Sequence, residues 1–156
     1  MKTRELQTLW WDWLSTAERL LRSLNEQTVA LTVRDVVRVE ALQPELEGML
    51  ERLQSIDERA AASSVRLAEG MGILPNLRSL VEALESAEAQ RVQSLASRVA
   101  VVAENLQTIM DRNRKLLDSE LTYVNGTLAL IARAATEDPG KFAVVRTRAV
   151  LLDHVA

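Results

Sequence analysis

The hydrophobic positions in the last third of the chain form the longest regular pattern in the sequence. Between Val92 and Ala134 they recur in alternating steps of three and four residues, which places them on one stripe of a long helix. The pattern predicts a coiled-coil seam that other helices must cover. The seam positions are Val92, Leu95, Val99, Val102, Leu106, Ile109, Asn113, Leu116, Glu120, Tyr123, Thr127, Leu130 and Ala134.

Two shorter helical patterns come earlier in the chain. The spacing predicts a first helix over residues 3–31, with Thr3 at its amino end, and a turn where β-branched residues accumulate. A second helix is predicted over residues 36–69, with Thr32 or Asp35 as its N-cap. Proline removes one helical hydrogen bond, so Pro44 predicts a kink or a restart near Gln43.

Glycine and proline mark the boundaries of the remaining elements. Gly70-Met71-Gly72 predicts the end of the second helix, and Pro75 suits the first turn of a short helix that ends near Leu84. Ser86 is the expected N-cap of the final helix, which would extend to about Ala135. At 1.5 Å per residue that helix is roughly 75 Å long, so other helices must bury its apolar stripe along its whole length.

The chain after the final helix is predicted to be a separate segment. Glu137-Asp138-Pro139-Gly140 breaks the helix, and the residues that follow, 141–156, have little polar surface. We therefore expect a helical bundle over residues 1–136 and a linker with an amphipathic, partner-binding segment over 137–156. This segment has three possible fates: it folds back on the bundle, self-associates, or stays mobile until a partner covers it.

Composition supports an all-α fold. The 156 residues are 47% hydrophobic and include only five glycines and three prolines, so helix formers dominate. The expected architecture is an elongated antiparallel bundle or coiled coil of three to four helices with a separate apolar C-terminal helix. A net charge of −3 disfavours nucleic-acid binding.

No catalytic constellation is visible in the sequence. There is no cysteine, and the single histidine, His154, has no second histidine to share a metal or to activate a nucleophile. The carboxylates mostly lie three or four residues from arginines, as solvated helix faces do. We therefore expect a non-enzymatic protein without cofactors or metal.

Two polar or aromatic features have alternative interpretations. Trp10 and Trp13 fall on the buried stripe of the first helix and Trp11 does not, so Trp11 is either part of a core anchor or an exposed partner contact. Asn113 occupies a seam position, where it either fixes helix register through a buried hydrogen bond or contacts a ligand.

The expected location is the cytoplasm. The amino-terminal residues carry charges throughout an amphipathic pattern, and no stretch approaches the roughly 20 apolar residues that a membrane span requires. The sequence thus predicts a soluble protein without membrane insertion.

The carboxyl-terminal half resembles the FlgN family of flagellar type III export chaperones. The resemblance lies in Asn113-Arg114-Lys115-Leu116-Leu117, in residues 118–124 that follow, and in the ending of the chain, residues 148–156. Met110 stands where the family often has a second asparagine, and residues 138–142 replace a common Tyr-Gly pair. The resemblance therefore leaves open whether this chain retains the contact with the export gate that the pair implies.

The resemblance implies an all-helical chaperone that binds hook-filament junction (hook-associated) proteins in the cytoplasm. It would cover their C-terminal helices and deliver them to components of the export apparatus. An apolar surface for an amphipathic helix, with Asn113 beside it and two arginines at its rim, would provide the binding site. The implied partner-binding residues are Asn113, Leu116, Leu117, Val124, Leu128, Val144, Arg146, Arg148, Leu151 and Leu152.

Another class of function uses the same seam. A non-enzymatic coiled-coil scaffold or homodimerising adaptor would pair the stripe with a second copy of the chain, and the apolar tail would join a symmetric interface. A membrane-surface helix is disfavoured because the tail has few cationic residues. The sequence identifies neither the client nor the oligomeric state.

Overall fold

The computed structural model describes residues 2–134, and these are arranged in four α-helices. Their bounds are α1, Arg4–Thr32; α2, Val36–Met71; α3, Leu77–Ala83; and α4, Ser86–Ala134. The all-α prediction is confirmed for this part of the chain. The predicted separate C-terminal helix, residues 141–156, lies outside the described residues.

The boundary between α1 and α2 is a tight turn with a left-handed residue at Arg34, whose φ is 58°. The amide of Arg34 donates to the Leu31 carbonyl at 3.2 Å, and the amide of Asp35 donates to the Ala30 carbonyl at 2.8 Å. This is the Schellman arrangement that ends helices, usually with glycine in the left-handed position. The Asp35 carboxylate then accepts from the Arg38 amide at 3.1 Å, which confirms Asp35 as the N-cap of α2.

Helix α2 passes through Pro44 and remains one helix, which excludes a restart near Gln43, one of the two predicted effects of this proline. Proline costs a helix one hydrogen bond, and a 36-residue helix with a packed face tolerates that loss. The helix ends as predicted in the glycine pair, where Gly72 has a φ of 66°.

The short helix α3 begins two residues after the predicted proline. Asn76 is its N-cap, and the Asn76 side-chain oxygen accepts from the Ser79 amide at 2.8 Å. Pro75 therefore precedes the helix and is not in its first turn. The asparagine side-chain oxygen accepts a hydrogen bond from a backbone amide of the first turn, and proline has no side-chain acceptor. Asparagine is therefore the stronger signal for a helix start. Ser86 is the first residue of α4 and not its N-cap, because the Glu85 carbonyl accepts the first hydrogen bond of the helix.

The chain divides into two compact units, and each contains parts of α1, α2 and α4. The first comprises Met1–Leu21 and Glu47–Gln107, and the second comprises Arg22–Leu46 and the chain from Thr108 onwards. The core of the first unit consists of Leu6, Leu9, Trp13, Leu14, Ala17, Leu20, Met49, Leu53, Ile56, Ala60, Ala68, Leu80, Ala89, Val92, Leu95 and Leu106. The core of the second consists of Leu24, Ala30, Leu31, Val39, Leu42, Leu46 and Leu117.

Polar contacts define the helix directions within the first unit. Arg66 pairs with Glu5 at 3.0 Å and Arg52 pairs with Asp12 at 3.0 Å, so α1 and α2 are antiparallel. The amino end of α1 lies beside the amino end of α4, because the Thr3 amide and hydroxyl both donate to the Glu88 carboxylate, at 2.9 and 2.5 Å.

Similar contacts define the second unit. Arg38 pairs with Glu26, and Ser23 donates to Glu45, which makes α1 and α2 antiparallel here as well. Pairs between α1 and α4 run in the same direction along both helices, from Thr28 with Asn113 to the turn residue Arg34 with Glu120. These two helices are therefore parallel in this unit.

Candidate functional site

Asn113 is a buried polar residue in the second unit, and its side chain is hydrogen-bonded to α1. It is 2% exposed, and its amide nitrogen donates to the Leu24 carbonyl and to the Gln27 side-chain oxygen, both at 2.9 Å. Its side-chain oxygen accepts from the Thr28 hydroxyl at 2.6 Å. Every one of these partners is on α1. This is the geometry that fixes the register of one helix on another.

The next two candidate residues belong largely to the core of the same unit. Leu117 is buried in a cluster with Ala30, Leu31 and Val39, and Leu116 packs against that cluster while remaining half-exposed. Leu117 therefore stabilises the unit, and Leu116 is the first of the candidate residues that retains accessible surface.

The turn between α1 and α2 lies beside α4 at Glu120 and Tyr123. The Arg34 guanidinium pairs with Glu120 at 2.9 Å and stacks on the Tyr123 ring, 4.0 Å from its centroid. Because α1 and α4 are parallel in this unit and α1 ends at Thr32, residues of α4 after Tyr123 continue beyond the turn.

We call residues 124–134 the overhang. These eleven residues extend about 16 Å along the helix axis, at 1.5 Å per residue. From Asp118 to Ala134, no residue of α4 is fully buried. The predicted seam is buried or half-buried as far as Glu120, and then Tyr123 and Leu130 are 53% and 64% exposed. The exposed seam residues Tyr123 and Leu130 therefore lie at and beyond the α1–α2 turn.

A second apolar stripe, which is half-buried, runs along this end of α4. Val124 and Leu128, both predicted as partner-binding, share it with Leu121 and Ile131, at spacings of three and four residues. Leu121 and Ile131 are not among the predicted residues, although the same spacing identifies them. The other five predicted partner-binding residues, Val144, Arg146, Arg148, Leu151 and Leu152, lie outside the described residues.

The tryptophans are divided as the helical pattern predicts. Trp13 is buried, Trp10 is half-buried, and Trp11 is 51% exposed. The Arg98 guanidinium stacks over the Trp11 ring, 5.0 Å from its centroid, so this exposed indole contacts α4.

Within residues 2–134, no group of three or more His, Asp or Glu side chains is placed to hold a metal ion. None of the four helices in that range has an apolar stretch long enough to cross a bilayer. His154 lies beyond this range.

The four helices, with Asn113 fixing the register of α4 on α1, define an all-α helical bundle. The FlgN protein family model matches residues 1–141, which is most of the chain, so the chain belongs to the FlgN family. FlgN proteins are non-enzymatic flagellar export chaperones for hook-associated proteins. Searches of curated proteins and of solved structures found no match.

The family match covers Asn113 and the overhang but stops before most of the tail. It ends at Lys141, so the predicted resemblance of residues 148–156 falls outside the matched range. The family identity confirms the function predicted from the sequence. It does not assign roles to individual residues.

Proposed function

We propose that the overhang of α4 is the client-binding surface of this chaperone, and that it receives the amphipathic C-terminal helix of a hook-associated protein. The supporting observation is that the apolar pattern of α4 continues past the α1–α2 turn, where Val124, Leu128 and Ile131 are half-buried and Leu130 is exposed. A helix of the client covers the surface that remains accessible and hides its own apolar stripe in the same contact.

The composition of the overhang suits a helical partner. Val124, Leu128 and Ile131 form the half-buried stripe, and Leu130 adds an exposed apolar side chain on the neighbouring seam face. Gly126 lies on the opposite face of the helix from the stripe, so it is outside the proposed contact surface.

The remaining predicted residues complete the proposal. Val144, Leu151 and Leu152 extend the apolar surface from the tail, and Arg146 and Arg148 attract acidic groups at the rim of the client helix. Asn113 acts indirectly by holding α4 in register, and Leu117 acts by anchoring it. We further propose that the protein acts in the cytoplasm, where FlgN chaperones function, and passes its client to the export apparatus.

The test compares two substitutions that lie close together on the same helix. Leu128→Glu places a charge on the proposed surface, and Asn125→Glu places the same charge at an exposed position of the overhang off the stripe. Binding of the C-terminal helical segment of a hook-associated protein is measured by titration calorimetry. Burying an unpaired carboxylate costs several kcal/mol, so Leu128→Glu should weaken binding at least tenfold, and Asn125→Glu by less than threefold.

Circular dichroism checks that both variants remain helical. Equal affinity of Leu128→Glu and the unmodified chain would show that the client binds elsewhere. A chain ending at Pro139 tests the tail separately. If the tail contributes, this truncation weakens client binding further, and if its affinity equals that of the full chain, the five tail residues have no part in the site.

The homodimerising scaffold is measured in the same samples. Light scattering of the free, full-length chain determines its mass, and the chaperone interpretation predicts that adding the client helix produces a complex with the client. A constant homo-oligomer that the client never enters would favour the scaffold.

A further inference from the structure

A groove on the α1–α2 side of the second unit exposes two valines. Val29, Ala30 and Val33 line it from α1, and Arg38 lines it from α2. Val29 and Val33 are 63% and 67% exposed, although valine is usually buried. At about 100° per residue, they lie roughly 140° and 180° around α1 from Leu24, whose carbonyl is bonded to α4. The groove therefore lies on the side of α1 away from α4.

The charged side chains nearest the valines already have partners. Glu26 and Arg38, which both line the groove, form an ion pair with each other. The Asp35 carboxylate accepts from the Arg38 amide as the N-cap of α2. Arg22 is the remaining charged residue of the lining, and it lies about 16 Å from Val33 along α1. The groove thus presents an apolar surface near the turn and a cation at its far end, which suits an apolar segment with an acidic residue near one end.

The chain itself supplies such a segment within reach of the groove. Ala134 ends α4 in the same unit, about 16 Å along the helix axis beyond Tyr123, which contacts the α1–α2 turn. Residues 135–140 lead from it to residues 141–156, and six extended residues span up to about 20 Å. That length is sufficient for the chain to return to the level of the turn. A helix over residues 141–156 would be about 24 Å long, compared with about 16 Å for the groove.

The sequence pattern of residues 141–156, which lie outside the described residues, has two apolar faces on a helix. Val144 and Leu151, both predicted to bind the client, fall on one face. The other face is roughly 140° away and consists of Phe142, Val145, Ala149 and Ala156. A helix that is apolar on two sides has to bury both of them. The client covers the first face, so the second requires a surface on the chaperone.

We propose that the groove docks residues 141–156 of the same chain as a helix antiparallel to α1. Val145 then lies beside Val29, and Asp153 lies near the Arg22 guanidinium at the far end of the groove. The contact buries apolar surface of both elements, and the charged pair sets the direction of the segment.

The linker favours this occupant over a second copy of the chain. A short tether raises the local concentration of a docking segment to about the millimolar range, whereas a second copy binds from its much lower free concentration. The docked helix keeps Val144 and Leu151 on its outer side, where they are available to the client. Docking is thus compatible with the proposed client surface and does not depend on it.

Cross-linking of the full-length chain tests the proposal, because the sequence contains no cysteine. Val29→Cys combined with Val145→Cys places two thiols across the proposed contact. Val37→Cys combined with Val145→Cys is the control, because Val37 is an exposed valine of the same unit that does not line the groove. A short bismaleimide reagent at low protein concentration should cross-link the first pair within one chain roughly tenfold faster than the second.

Two outcomes would overturn the proposal. Equal rates for the two pairs would show that the segment does not dock in the groove, and cross-links found only between two chains would assign the groove to a second copy. Mass spectrometry of the products distinguishes links within one chain from links between chains. Circular dichroism checks that both double variants remain helical.

Charged substitutions in the segment locate the contact. In the chain carrying Val29→Cys and Val145→Cys, Ala149→Glu places a carboxylate in the apolar contact and should slow cross-linking within the chain roughly fivefold. Thr147→Glu adds the same charge on a face that the proposal leaves in solvent, and should change the rate by less than about twofold. Equal effects of the two substitutions would refute the docking. No client is present in these measurements, so their result and that of the client-binding test are distinguishable.

Discussion

Asn113 occupies a position where the seam pattern favours a hydrophobe, and the structure shows its physical role. Three hydrogen bonds to α1 satisfy its amide inside the second unit. A leucine there would fit the apolar pattern but would permit several registers, whereas the amide has partners in only one. A single polar residue thus determines which part of α4 lies beside the α1–α2 turn, and hence where the overhang begins.

Removing this amide should destabilise the chain. Asn113→Ala removes the donor to the buried Gln27 side-chain oxygen and an acceptor of the Thr28 hydroxyl, so we expect a loss of about 2 kcal/mol in the free energy of unfolding. Urea denaturation provides the measurement. Asn125→Ala, at an exposed position of the same helix, should change stability by less than about 0.5 kcal/mol. Similar losses for the two variants would contradict the role assigned to Asn113.

The contact between Thr3 and Glu88 predicts a pH dependence. Hydrogen bonds from the Thr3 hydroxyl and amide lower the pKa of Glu88 from its ordinary value of 4.5. A lowered pKa in the folded chain means that Glu88 contributes stability above pH 4.5, and that this contribution is lost as pH falls through the folded-state pKa.

Glu88→Gln should therefore be less stable than the unmodified chain at neutral pH, and the difference should shrink as the pH is lowered below 4.5. Thermal unfolding at several pH values measures it. Glu85→Gln is the control, three residues earlier and exposed. A difference between Glu88→Gln and the unmodified chain that stays constant from neutral pH down to about pH 3 would exclude the carboxylate as its source.

At the scale of elements, Arg34 combines two opposing effects. A non-glycine residue in the left-handed region costs roughly 1–2 kcal/mol. Its exposed ion pair with Glu120 and its stacking on Tyr123 contribute about 0.5–1 kcal/mol each. The contacts therefore offset much of the backbone strain, and they join the α1–α2 turn to α4 just before the overhang.

Substitutions at this position should separate the two effects. Arg34→Ala loses the contacts and keeps the strain, whereas Arg34→Gly loses the contacts and relieves the strain. We expect the glycine variant to be more stable than the alanine variant by about 1 kcal/mol, measured by urea denaturation. Inside a regular helix, the alanine variant is instead more stable than the glycine variant. The pair Arg66→Ala and Arg66→Gly in α2 provides that comparison. Alanine being the more stable at position 34 would contradict the left-handed turn.

The bounds of the helices could be predicted from the sequence, but the extent to which neighbouring helices bury α4 could not. Spacing and composition specify that α4 is long and which of its faces is apolar, and its predicted start agrees with the structure within one residue at Ser86. They do not specify where the neighbouring helices stop. The α1–α2 turn lacks the glycine that usually marks a left-handed helix end, and its register against α4 depends on Asn113 and Arg34. For that reason Leu117 was predicted as a binding residue although it is buried, and Leu121 and Ile131 were missed.

Gly126 provides a test within the overhang. A Cβ there has open space, so Gly126→Ala should strengthen the helix by about 0.5–1 kcal/mol in the free chain. Amide exchange in residues 124–134 should slow roughly two- to fivefold as a result. Because Gly126 faces away from the stripe of Val124, Leu128 and Ile131, the same variant should not bind the client more weakly, and weaker binding would place the client on the Gly126 face of the helix.

At the scale of the whole molecule, the same three long helices contribute to both compact units. In the second unit, α4 carries the half-buried apolar stripe that we propose as the client surface. In the first unit, the exposed indole of Trp11 lies under the Arg98 guanidinium of α4.

The central claim is that a hook-associated protein covers the overhang of α4. Hydrogen–deuterium exchange of the full-length chain, with and without the C-terminal helical segment of a hook-associated protein, tests it most directly. The account predicts that client binding slows amide exchange in residues 121–134, while residues 86–107 exchange as in the free chain. Protection confined to residues 86–107, or a bound client that leaves residues 121–134 unprotected, would contradict it.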